Sequence, residues 1–106
     1  MIEPSHRRFL LTRMDVAQAE TQRHLGIIER QIATRAERLT TTDRAKSRHH
    51  GRAASGWTNA DERLFQEHVA KLTLARRGEI DALTRKLDRQ EKAIAECRTR
   101  HGVSAA

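Results

Sequence analysis

The sequence predicts an all-α protein, two long helices folded back on each other as an antiparallel coiled-coil hairpin. Three observations predict it. Apolar residues recur at steps of three and four along both halves of the chain. Turn-forming residues gather in one internal segment, and aromatic residues are too few for a deep core. The 106 residues include two Phe, one Trp, no Tyr, one Pro and five Gly, which is too little punctuation for a β-rich fold. A chain of this length forms one domain, residues 1–106.

The first helix is expected over about 5–46, opening at Ser5 just after Pro4. With Leu11 at heptad position a, the a sites are Leu11, Gln18, Leu25, Ile32 and Leu39, and the d sites are Met14, Thr21, Ile28 and Arg35. Only Gln18, Thr21 and Arg35 interrupt an apolar seam. For Arg35, as for Arg76 in the second half, the expected arrangement lays the aliphatic stem on the seam and carries the charge to water.

The pattern stops in a basic turn over about 47–58, where Gly51, Ser55 and Gly56 replace periodic apolar residues. Thr58 then restarts a helix over about 59–101. It can cap the backbone of Asp61 while Asp61 returns the bond; Asn59 and Glu62 offer the same pair one residue later. The seam of this helix runs Phe65, Val69, Leu72, Arg76, Ile80, Leu83, Leu87, Gln90, Ile94, Cys97. Two consecutive four-residue steps at Leu72–Arg76–Ile80 form a stutter, which locally relaxes a left-handed supercoil. Acid-first pairs at i,i+4, such as Asp88–Lys92 and Glu96–Arg100, support the helix by a few tenths of a kcal/mol each. Gly102 marks its end.

The two halves agree in register. In an antiparallel hairpin facing residues have numbers with a constant sum, and Leu39 with Phe65, Ile32 with Leu72, Thr21 with Leu83 and Leu10 with Ile94 all obey it. Gly26 and Gly78 obey it too, so a close backbone approach is expected there. The same sum puts the fold axis at Arg52, inside the turn.

The side chains point away from catalysis. Cys97 is the single cysteine and falls on the seam, which excludes a disulfide framework and a cysteine-based zinc site. The six histidines show no metal-ligand spacing, and Gly51 and Gly56 lack the lysine of a phosphate-binding loop. No cofactor, metal or enzymatic activity is expected. No apolar run approaches the roughly 20 residues of a spanning helix, and a cytoplasmic, monomeric chain is expected. The net charge is +7, with the excess concentrated at Arg44, Lys46, Arg48 and Arg52. Such a turn suits an acidic protein surface or phosphate groups.

The opening Phe9-Leu10-Leu11-Thr12-Arg13-Met14-Asp15-Val16-Ala17-Gln18-Ala19-Glu20 and the long helix from Phe65 to Arg100 resemble the stalk proteins of type III secretion and flagellar export ATPases. Those stalks are in turn similar to the coiled coil of the rotary ATPase γ subunit. The resemblance implies a non-enzymatic, cytoplasmic protein that binds a hexameric secretion ATPase and couples it to the export apparatus. The paired helix ends (Phe9, Leu10, Arg13, Met14 and Ile94) would meet the ATPase. The turn end (Leu39, Arg44, Lys46, Arg48, Arg52, Trp57 and Phe65) would face the export gate or chaperones. Two other readings stay open on the residues alone: a basic coiled coil that binds nucleic acid, and a structural coiled-coil adaptor that self-associates.

Overall fold

The structure is a computed structural model that describes residues 4–47 and 56–100. It is all-α. Helix α1 spans Pro4–Ser47, α2 spans Asn59–Ala75 and α3 spans Arg77–Arg100, with no strand among the described residues. The chain divides into two compact units, Met1–Gly26 with Glu79–Ala106, and Ile27–Gly78. The boundaries fall at Gly26 and Gly78, the two glycines of the helical register.

In the unit Ile27–Gly78, the second half of α1 pairs with α2. Contacts run antiparallel: Arg44 meets Asp61, Asp43 meets His68 and Gln31 meets Arg76, so α2 descends as α1 ascends. The buried line of α1 is Ile28, Ile32, Ala36 and Thr40, each less than a tenth exposed. This corrects the heptad at Arg35, which is exposed, while Ala36 beside it is completely buried. The reason is energetic. A guanidinium on the seam would face Val69 with no acid to compensate its desolvation, whereas Ala36 costs nothing to bury and lets the helices close. Thr40 enters the core because its Oγ1 donates to Ala36 O at 2.8 Å, so the helix itself satisfies the hydroxyl.

In the unit Met1–Gly26 with Glu79–Ala106, Leu11 packs against Ile94 and Cys97, with Met14 covering the cluster. Thr21 is buried by the same device as Thr40, its Oγ1 donating to Ala17 O at 3.2 Å. On the outside of α3, Lys92 meets Asp88 at 3.1 Å and Arg100 meets Glu96 at 3.9 Å, two of the i,i+4 pairs read from the sequence.

The second helix of the hairpin is not continuous, which corrects the single element expected over 59–101. It breaks at Arg76, whose backbone (φ −105°, ψ 12°) leaves the helical region. Its N–H donates to both Leu72 O and Thr73 O at 3.2 Å, the tightened hydrogen bonding of a helix end. The cause is legible. Two four-residue steps carry the apolar stripe about 80° round an ideal helix, and Gly78 two residues on weakens helical continuation. A break resets the stripe where a supercoil alone was expected to absorb the mismatch. The Arg76 side chain is half-buried and donates to Gln31 Oε1 at 2.8 Å. The close approach expected at Gly78 is also absent: apart from its chain neighbours and its own helix's backbone, a Cβ there would meet no atom within 4 Å.

Candidate functional site

Two regions hold the side chains singled out by the sequence, and the structure treats them differently. In the turn-end region, the elements are built from the helix cap outward. Thr58 is the N-cap of α2: its Oγ1 accepts from Asp61 N–H at 3.1 Å, and Asp61 Oδ2 accepts from Thr58 N–H at 2.8 Å. Of the two capping pairs open to the sequence, the earlier one forms, because Glu62 is engaged elsewhere. Its carboxylate accepts from Trp57 Nε1 at 3.3 Å and from Gln66 Nε2 at 3.0 Å.

Arg44 of α1 ties this cap down. Its Nε lies 3.2 Å from Asp61 Oδ2, its guanidinium donates to Gly56 O at 2.8 Å, and it sits 5.9 Å from the Trp57 ring centroid. Trp57 stands edge-on to Phe65, centroids 6.1 Å apart at 72°. Gly56 has φ +84°, a conformation in which a side chain would be strained, so glycine is required there. One turn along, His68 Nε2 lies 2.9 Å from Asp43 Oδ2. The sequence heptad does not include this pair; Asp43 lies seven residues after Ala36, on the seam the structure shows.

Arg44, Trp57 and Phe65 are therefore brought together, with Leu39 half-buried on the same seam and Lys46 exposed. Arg44 and Phe65 work on the fold itself, whereas Trp57 keeps an exposed face. Arg48 and Arg52 lie outside the described residues.

In the other region, the five selected residues separate into two kinds. Ile94 is core, Met14 is half-buried against it, and Leu10 is half-buried. Phe9, by contrast, is 56% exposed, with the Arg13 guanidinium 5.8 Å from its ring centroid. Val16, seven residues after Phe9 on the same helical face, is 53% exposed. The seven-residue spacing from Phe9 is the signal for Val16, which lies off the buried heptad.

Compared with known proteins, the chain matches no family model, no curated protein and no solved structure. Among the described residues, no group of three or more His, Cys, Asp or Glu is placed to hold a metal ion, and no helix is long and apolar enough to cross a membrane. What the geometry presents is exposed surface: an aromatic-aliphatic-cationic patch on α1 and a tryptophan braced at the start of α2.

Proposed function

We propose that this chain is a non-enzymatic central-stalk adaptor of a bacterial type III secretion ATPase, virulence or flagellar, acting in the cytoplasm. It binds the ATPase hexamer through Phe9 and Arg13 and presents its turn end to the export apparatus or its chaperones. The observation that carries the reading is the exposed Phe9 stacked by Arg13, with Val16 one heptad on. Large aromatic groups beside arginine are the residue types that dominate protein interfaces. Left in water, a ring of that size forgoes the stabilisation that a partner's pocket supplies. Helical packing beneath it, Leu11 against Ile94 and Cys97, holds the patch in place. A ligand that contacts several subunits of a ring favours the assembled ring by mass action, which is how a protein without chemistry of its own raises the activity of an ATPase.

The test measures phosphate release and hexamer fraction of a type III secretion ATPase with and without this protein. Stimulation is expected with the wild type and with Lys46→Ala, and its loss is expected with Phe9→Ala/Arg13→Ala. Arg44 is kept intact in this comparison because it braces the cap of α2. Stimulation that survives Phe9→Ala/Arg13→Ala but is lost with Trp57→Ala reverses the assigned polarity. No stimulation by the wild type refutes the stalk role.

A further inference from the structure

We propose that the outward face of α1 in the unit Ile27–Gly78 is a docking surface for an acidic amphipathic helix of a different protein. The face consists of Ile27, Arg30, Thr34, Arg38 and Thr41, all exposed. At 100° per residue these five lie within an arc of about 80°, on the side opposite the Ile28–Ile32–Ala36 core line. Their steps of three and four repeat the period of a packing seam, yet this seam has no partner among the described residues. Two shallow grooves run along it, one bounded by Ile27, Gln31 and Arg35, the other by Glu37, Thr41 and Thr42.

The chemistry of the face selects the occupant. Arg30, Arg35 and Arg38 form no salt bridge among the described residues, so three guanidinium groups stand unneutralised with Glu37 alone at the flank. Arg30 and Arg38 are about 12 Å apart along the axis, the separation of carboxylates placed at i and i+8 on a second helix. Between them the methyl group of Thr34, with those of Thr41 and Ile27 to either side, offers small apolar contacts that suit aliphatic side chains. Arginine pairs carboxylates through two hydrogen bonds, and helices commonly dock by one apolar stripe flanked by charge.

A second copy of this chain does not supply such a helix. The exposed faces of α2 and α3 alternate in sign, as in Arg63, Glu67 and Lys71 or Arg85, Asp88 and Lys92. Asp88 is already paired with Lys92. Single-stranded nucleic acid would want aromatic platforms, and this face has none. The proposal is independent of the ATPase reading, which uses Phe9 and Arg13.

The probe is a fluorescein-labelled amphipathic helical peptide with a Leu stripe flanked by Glu residues placed at i and i+8, followed by anisotropy on the full chain. Binding is expected to weaken about tenfold with Arg30→Glu/Arg38→Glu and to tighten with Thr34→Arg, a gain that unfolding cannot mimic. Arg63→Glu/Arg85→Glu changes the net charge equally and is expected to leave binding within about twofold of wild type. Equal weakening by both double variants, or equal binding of a proline-interrupted peptide of the same composition, overturns the proposal. So does a dimer that Arg30→Glu/Arg38→Glu disperses, or duplex DNA held by the same arginines while the peptide is not.

Discussion

Arg44→Ala tests how the turn end is held, and its magnitude can be worked from the contacts. The substitution removes an ion pair to Asp61 at 3.2 Å, in which both side chains are largely shielded (18% and 12% exposed). It also removes a 2.8 Å charge-assisted hydrogen bond to Gly56 O and a cation–π contact with Trp57 at 5.9 Å. A hydrogen bond to a charged group contributes about 1.5–3 kcal/mol, and a cation–π contact at an exposed site about 0.5–1 kcal/mol. Asp61 keeps its capping bonds to Thr58, so it is not left stranded. The expected loss is therefore about 2–3 kcal/mol, below the cost of orphaning a fully buried charge. Urea unfolding followed by circular dichroism reads the total, and Trp57 emission reads the site. A double-mutant cycle with Asp61→Ala isolates the pair, with an expected coupling of about 1–2 kcal/mol. A coupling near zero, with Trp57 emission unchanged in Arg44→Ala, would refute the bracing role.

Ile28 is 1% exposed, so Ile28→Ala is expected to cost about 3 kcal/mol in the same unfolding assay, whereas Phe9→Ala, on the surface, stays within about 0.5 kcal/mol of wild type. Comparable losses for the two would place the core line on the wrong side of α1. Gly78→Ala is expected to stabilise the protein by about 0.5 kcal/mol, since the backbone there is not left-handed and nothing lies within 4 Å of the new methyl group. Destabilisation, measured as a lowered urea midpoint, would mean that Gly78 is needed for the break at Arg76.

The sequence by itself determined the helical class, both helix starts, the antiparallel direction of the pairing and the capping pair at Thr58 and Asp61. These depend on local periodicity and on hydrogen bonds between residues three or four apart, which the chain order already contains. Phe9 and Trp57, singled out from the sequence as contact residues, are both exposed. Tertiary structure decided three further matters. It turned Ala36 inward in place of Arg35, since the choice between neighbours at the edge of a seam depends on what the opposite helix offers a charge. It divided the returning helix at Arg76, whose backbone leaves the helical region and whose N–H is shared between Leu72 O and Thr73 O. It also gave Arg44 a structural task at the cap of α2, which its place in a run of basic residues concealed. All three turn on which side chain lies across from which, and a periodic pattern on one helix leaves that open until a second helix is packed against it.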